Sequence, residues 1–96
     1  MAEILSIAIF EPLPGSGAGA LTTVQELGAA LAKGGYSRDS VYRDLKSGHY
    51  ILLRYWRAEE ARRAALEDPE VLRCWAKLAQ QIRTINVMET LEAIGA

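Results

Sequence analysis

Apolar residues recur along this chain at two spacings, and each spacing predicts one kind of element. Residues 4–10 are apolar on both alternating faces, which predicts a strand buried on two sides. From Ala20 to Leu31 the apolar residues recur at helical spacing, and the helix is expected to end at Gly34 and Gly35.

Residues 37–45 are mostly polar and predict an edge strand. Residues 46–49 have turn composition, and residues 50–56 are rich in β-branched, leucine and aromatic side chains. We therefore expect a hairpin whose second strand is the central strand of the sheet.

The pattern changes to helical spacing after Trp56. Residues 58–66 predict a helix that ends near Pro69, and Asp68 with Pro69 is a typical start for a second helical piece, which should run to about Gln81. Residues 84–93 alternate and predict a closing strand.

The order β, α, β, β, broken α, β predicts an α+β fold of the ferredoxin-like β-α-β-β-α-β type. The 96 residues are expected to form one domain, residues 1–96, with both helices on one face of a four-stranded antiparallel sheet. The opposite face would then be bare although it is apolar, so we expect a homodimer that buries one sheet face against the other.

Charge and cysteine content narrow the function classes. A net charge of −1 gives no electrostatic footprint for nucleic acid or an anionic membrane. The apolar segment at residues 4–10 is too short to span a bilayer and lacks the features of a signal peptide. The single Cys74 fits a reducing, cytoplasmic setting, and one cysteine with one histidine makes no usual zinc site, so no cofactor or metal is expected.

The order of four segments resembles the antibiotic biosynthesis monooxygenase-like (ABM) family of dimeric α+β barrels. These segments are FEPLPG at the end of the first strand, YILLRYW followed by RAEEARRAAL, DPEVLRCW at the helix restart, and METLEAI at the end of the last strand. The resemblance implies a homodimer with a pocket between each sheet and its helices. Some members oxidise aromatic polyketides without metal or flavin, and others degrade haem.

The haem-degrading branch is disfavoured residue by residue. That branch uses an Asn on the first strand and a Trp and then a His on the helices after the third strand. Here residues 4–10 contain no Asn, and Ala65 and Trp75 occupy the positions of the Trp and the His.

Arg54 and Tyr50 are the candidate catalytic residues. Arg54 is a cation among apolar neighbours on one strand face and could hold a phenolate, enolate or carboxylate. Alternatively its stem packs while its head pairs with an acid such as Asp44 or Glu89. Tyr50 could donate a hydrogen bond to an oxygenated ring, or simply pack.

The candidate substrate-binding residues are Phe10, Trp56, Trp75 and Asn86. The aromatic residues could line a pocket, although an apolar stripe at helical spacing, as around Trp75, usually belongs to the core. Asn86 could orient a carbonyl or could be an exposed strand residue.

These observations predict a cofactor-independent monooxygenase acting on a small aromatic or quinol-type molecule between sheet and helices. The alternative is a non-catalytic dimeric module of the same fold that binds a small hydrophobic molecule or a partner.

Overall fold

The computed structural model describes residues 3–95, which contain four strands and three helices. The strands are β1 (Ile4–Pro12), β2 (Ser37–Arg43), β3 (Tyr50–Trp56) and β4 (Ile82–Glu92), and the helices are α1 (Gly17–Lys33), α2 (Glu59–Ala65) and α3 (Pro69–Ala79). The order is β-α-β-β-α-α-β, which confirms the predicted α+β fold with a broken second helix.

All four strands form one antiparallel sheet in the order β2-β3-β1-β4. β1 and β3, the most apolar strands, are central, and the polar β2 lies at an edge, as its composition predicts. Residues paired across strands point to the same face, so the register fixes which side chains meet the helices.

The core lies between the sheet and the helices. Leu27 and Leu31 of α1 and Val71 of α3 are fully enclosed, and they meet Phe10 of β1 and Leu52 of β3. Each helix contributes the stripe that its spacing predicts, since burial of one face is what stabilises a short helix in a protein.

Two glycines end α1 in a Schellman motif. The Tyr36 N–H donates to the Leu31 carbonyl at 2.9 Å, and the Gly35 N–H donates to the Ala32 carbonyl at 3.0 Å. Gly35 has φ +71°, which few other residues adopt without strain. A Cβ at Gly34 would lie 2.2 Å from the Tyr36 ring, so neither position tolerates a side chain.

Asp68 and Pro69 start α3 as expected. An Asp68 carboxylate oxygen accepts from the Glu70 N–H at 3.0 Å, and Pro69 occupies the first turn. The Tyr36 hydroxyl donates to Asp68 at 2.9 Å and so ties the end of α1 to the start of α3.

The structure corrects two strand predictions. β2 ends at Arg43 rather than Leu45, because Asp44 accepts from the Lys46 N–H at 3.0 Å and from the Ser47 hydroxyl at 2.8 Å and so begins the turn early. β4 does not alternate simply, because its pairing with β1 shifts register twice, between Leu5 and Ile7 and between Ile9 and Phe10.

The face of the sheet away from the helices carries no covering element among residues 3–95. The register places mainly apolar residues on it: Leu5, Ile7, Ile9, Ile51, Leu53, Tyr55, Met88 and Leu91. We refer to these eight residues as the open face. They are partly buried by one another or exposed.

Candidate functional site

A cavity of about 330 Å³ lies between the sheet, α2 and α3. The sheet contributes one wall and the two short helices another, at the place where the long α1 no longer covers the sheet. Its lining includes Ser6 and Ala8 from β1, Leu52, Arg54 and Trp56 from β3, Arg62 from α2, Leu66 directly after α2, Trp75 from α3, and Val87 and Glu89 from β4.

Trp56 forms the buried end of the cavity and is held there by a hydrogen-bonded chain. It is 3% exposed, and its Nε1–H donates to the Ser6 Oγ at 2.8 Å. The Ser6 hydroxyl in turn donates to the Glu89 backbone carbonyl at 2.6 Å. The single proton of Ser6 is therefore engaged, and its role is to fix the indole rather than to act as a nucleophile.

The hydrogen bond from Ser6 to the Glu89 carbonyl also lies at an irregular part of β4. Between the pairs Leu5–Leu91 and Ile7–Met88, β4 has one residue more than β1, which is a β-bulge. The bulge lies opposite Ser6 and changes the alternation of β4. Val87 pairs with Ala8 on the helix-facing side of the sheet, and Glu89, two residues further on, also borders the cavity.

Arg54 is almost completely buried and forms an ion pair with Asp39, which lies directly opposite it in the β2–β3 ladder. Its Nη2 lies 2.9 Å from Asp39 Oδ2, and its Nε donates to Oδ1 at 3.1 Å. The two side chains are 9% and 7% exposed. Gly28 of α1 lies over the Asp39 carboxylate, so the pair is sheltered from water.

The ion pair leaves part of the Arg54 guanidinium available. Nε and Nη2 donate to Asp39, whereas Nη1 has no hydrogen-bond partner within residues 3–95. Nη1 is also not among the fully buried polar atoms that lack a partner in that part of the chain. Nη1 therefore retains accessible surface, and Arg54 borders the cavity. Its guanidinium carbon lies 5.5 Å from the Trp56 ring and 5.9 Å from the Trp75 ring, which is cation–π range.

A second arginine lies on α2. Arg62 pairs with Glu59 one turn before it, with both nitrogen–oxygen distances at 3.1 Å. The Glu59 hydrogen bond raises the pKa of Arg62, and the charge of Glu89 adds to the same effect. The Arg62 hydrogen bond lowers the pKa of Glu59, so that pair stays charged at neutral pH.

Of the six residues that the sequence nominates, the structure brings three to this cavity: Arg54, Trp56 and Trp75. Arg54 is also paired, as the alternative interpretation expected. Its partner is Asp39, however, and the expectation of Asp44 or Glu89 is wrong.

Phe10, Tyr50 and Asn86 are not among the residues that line the cavity. Phe10 is 1% exposed in the core and its ring stacks on Tyr50 at 5.7 Å. Tyr50 shares a strand face with Arg54, but the four-residue separation places it about 13 Å further along β3. Asn86 pairs with Ile9, whose side chain points to the open face.

Sequence reasoning did not nominate Ser6, Arg62 or Glu89 for the site. Ser6 is a polar residue in an otherwise apolar strand, and this feature could have identified it as a candidate from the sequence. Arg62 resembled an exposed helix residue, and Glu89 was considered only as a partner for Arg54.

Within residues 3–95 no helix has the length and apolar character needed to cross a membrane. No group of three or more histidine, cysteine, aspartate or glutamate side chains in that part of the chain has the arrangement of a metal site.

Comparisons with known proteins identify solved structures that have a similar fold. No protein-family model and no curated protein matches the chain by sequence. Among solved structures, it is similar to SnoaB, a cofactor-independent oxygenase from Streptomyces nogalater, with a TM-score of 0.79, 16% identity and full coverage of both chains.

Two further structures agree with that likeness. A proposed antibiotic biosynthesis monooxygenase from Chloroflexus aurantiacus has a TM-score of 0.80 at 18% identity, with 99% of this chain and 97% of that chain covered. Rv0793 from Mycobacterium tuberculosis has a TM-score of 0.75 at 15% identity, with 98% and 100% covered.

The chain is thus a small α+β protein with a cavity between a four-stranded sheet and its helices. Its fold is that of the antibiotic biosynthesis monooxygenase-like proteins, which confirms the resemblance noted in the sequence at the level of fold.

Proposed function

We propose that this protein binds a small aromatic or quinol-type molecule in the cavity and oxidises it with molecular oxygen, without a bound cofactor. The observation that carries the proposal is the cavity itself, where Arg54 and both tryptophans of the chain meet. The fold, which also occurs in a cofactor-independent oxygenase, adds support to the proposal.

The size and walls of the cavity suit a small ring system. Its volume is about 330 Å³. A cavity of about 150 Å³ is enough to hold benzene, so one or two fused rings would fit here. Indole faces and aliphatic side chains from the sheet would bury such a ligand, and apolar burial is the main source of its affinity.

Arg54 is the residue proposed to stabilise developing negative charge. Its pairing with Asp39 fixes the guanidinium, so no reorganisation is needed when an oxyanion forms beside it. The accessible Nη1 would donate to the ligand oxygen. In this scheme the deprotonated substrate supplies the electron, oxygen is the oxidant, and the protein supplies orientation and a site from which water is excluded.

Oxygen consumption tests the proposal directly. One- and two-ring hydroquinones should consume oxygen faster with protein than in buffer alone. Arg54→Lys keeps the charge but loses the guanidinium geometry, and we expect it to lower kcat/KM about tenfold or more. Trp75→Ala should raise KM by removing a wall, whereas the exposed Tyr42→Phe should match the unmodified protein. Uptake equal to the buffer blank across the series would refute the oxygenase.

A second candidate is a non-catalytic module that binds a small hydrophobic molecule in the same cavity. The Arg54–Asp39 pair favours it, since a buried ion pair is commonly structural. Ligand-dependent thermal stabilisation without oxygen consumption would select this function over the first.

We further propose that the active form is a homodimer joined through the open face. The accessible surface of this protomer is 6117 Å² for a mass of 10.5 kDa. A folded monomer of that mass is expected to expose about 5,400 Å². The excess, about 700 Å², is close to the contribution of one partner to a standard interface.

A further inference from the structure

Trp75 separates two spaces on the helix-covered side of the sheet. One is the cavity between the sheet, α2 and α3, and the other is an apolar recess of about 290 Å³, which we call the side recess. The side recess is lined by Trp75, Leu78, Ala79, Ile82 and Thr84. Trp75 borders both spaces, and no other residue within 3–95 lines both.

The two spaces are neighbours along the same face of β1 and β4. Val87 of the cavity pairs with Ala8, and Thr84 of the side recess pairs with Phe10. Ala8 and Phe10 are two residues apart in one strand, so their side chains point to the same face about 7 Å from each other. The indole of Trp75 therefore stands between a ligand in the cavity and the side recess.

Trp75 is held less firmly than Trp56, the other tryptophan of the cavity. The Trp56 indole is 3% exposed and donates to Ser6, whereas the Trp75 indole is half-buried and its Nε1–H has no hydrogen-bond partner within residues 3–95. Trp75 packs against the core and lies 5.9 Å from the Arg54 guanidinium carbon. These contacts are less directional than a hydrogen bond, so the indole is free to change its side-chain torsion angles.

We propose that Trp75 is a movable partition that sets the ligand class of the cavity, namely an aromatic ring that carries a linear apolar side chain. The ring lies in the cavity as in the proposed function, on which this inference rests. The side chain of the ligand displaces the indole and enters the side recess. The two spaces are about 7 Å apart along β1, a distance that a pentyl chain spans.

Burial of apolar surface in the side recess supplies affinity for the chain. Leu78 is buried and Ile82 is half-buried, so both offer aliphatic surface, whereas Ala79 and Thr84 are exposed and leave the recess open on one side. A methylene group taken fully out of water strengthens binding about fourfold. In a half-open recess we expect about twofold for each methylene group.

Calorimetric binding of 4-methylphenol, 4-propylphenol and 4-pentylphenol tests the assignment without requiring turnover. From methyl to pentyl the affinity should rise about tenfold or more, the product of four methylene contributions. Trp75→Ala removes the partition and should weaken 4-methylphenol binding. It should also raise the pentyl-to-methyl affinity ratio about threefold, because no indole has to be displaced.

Ala79→Phe fills the side recess and should reduce the pentyl-to-methyl ratio to about threefold or less. The matched control is Ala76→Phe, the same substitution at an exposed residue of α3 that lines neither space, and it should keep the ratio. Both alanines are exposed, so this comparison does not depend on the folding of Trp75→Ala.

The outcomes separate this inference from the oxygenase proposal. The expected ratios with no oxygen consumption by any substrate support the partition and reject the oxygenase. A ratio that Ala79→Phe leaves unchanged, or that Trp75→Ala does not raise, overturns the partition even if oxygen is consumed. A changed mass of Ala79→Phe in light scattering, with the ratio unchanged, shows that a second copy of the chain covers the recess and also overturns it. Failure of all three phenols to bind overturns both proposals.

Discussion

At the scale of single residues, the site depends on partners that lie far apart in sequence. Arg54 meets Asp39, Trp56 meets Ser6, and Tyr36 meets Asp68, each through a directed hydrogen bond. Such contacts are costly to break singly, because the remaining partner stays buried or loses its alignment. Two predictions follow from this dependence.

Removing the charge of Asp39 should destabilise the protein strongly. Asp39→Asn leaves the Arg54 guanidinium without a counter-charge in a sheltered position. Loss of one partner of a buried pair costs about 3–5 kcal/mol, and chemical denaturation would measure it. Glu3→Gln, which breaks an ion pair with exposed side chains, should cost under about 1 kcal/mol.

The double variant Asp39→Leu with Arg54→Leu removes both charges and should recover much of the stability that Asp39→Asn loses. If Asp39→Asn were no more harmful than Glu3→Gln, the pair would not contribute as described.

Tyr36 should control the acid titration of Asp68. The hydrogen bond from the Tyr36 hydroxyl is the main reason that the pKa of Asp68 lies below its ordinary value of 3.8, with the Glu70 and Val71 N–H groups adding to the effect. A lowered folded-state pKa gives stability that is present above the ordinary value and is lost as the pH falls below it. Tyr36→Phe should therefore raise the pKa of Asp68 and reduce the loss of stability on acidification.

A carboxyl carbon NMR titration of Asp68 would measure this change, with the exposed Tyr42→Phe as control. An unchanged Asp68 midpoint in Tyr36→Phe would show that the helix N–H groups alone set the pKa.

At the scale of elements, the cavity is bordered by the bulged part of β4 and by the two short helices α2 and α3. In a regular strand every second side chain points to the same face, so Leu91 would share a face with Ile85, Val87 and Glu89. The bulge puts Leu91 on the open face with Met88 instead. The separation of α2 from α3 leaves the gap into which Trp75 and Leu66 extend.

Ser6→Ala should loosen this arrangement. It removes the acceptor of the Trp56 indole and the donor to the Glu89 carbonyl, and it leaves a buried N–H unpaired. We expect a loss of about 1–3 kcal/mol in the free energy of unfolding together with a shift in tryptophan fluorescence. Ser40→Ala, on the edge strand β2, should have little effect on either measurement, and similar results for both variants would contradict the role of Ser6.

At the scale of the whole molecule, the sheet has one face covered by helices and one that carries the open face. The two layers are only 16 Å thick along the shortest principal axis. A chain of this length can build one core, and the second apolar face is the surface through which we propose the homodimer.

A charge on the open face should therefore separate the protomers. Leu53→Arg places a cation in the middle of the proposed interface, and light scattering after size-exclusion chromatography should show a monomer where the unmodified chain is a dimer. Leu72→Arg on the outside of α3 should leave the mass unchanged. A monomeric unmodified chain would reject the dimer at once.

Most elements were predictable because their signals are local. The apolar run of β1, the glycine pair after α1 and the Asp68–Pro69 start of α3 each act within a few residues. Asp39 was missed for a specific reason. A strand ending at Leu45, with a turn at residues 46–49, places Val41 opposite Arg54. The early turn at Asp44 moves the register by two residues and brings Asp39 there instead.

The sequence by itself therefore determined the elements, their order and the two apolar faces of the sheet, because spacing and turn chemistry depend only on near neighbours along the chain. Only the tertiary structure decided which side chains share the cavity. Strand register, the bulge in β4 and the exposure of Arg54 Nη1 depend on contacts between segments that are 15 to 83 residues apart, and no local pattern encodes these contacts.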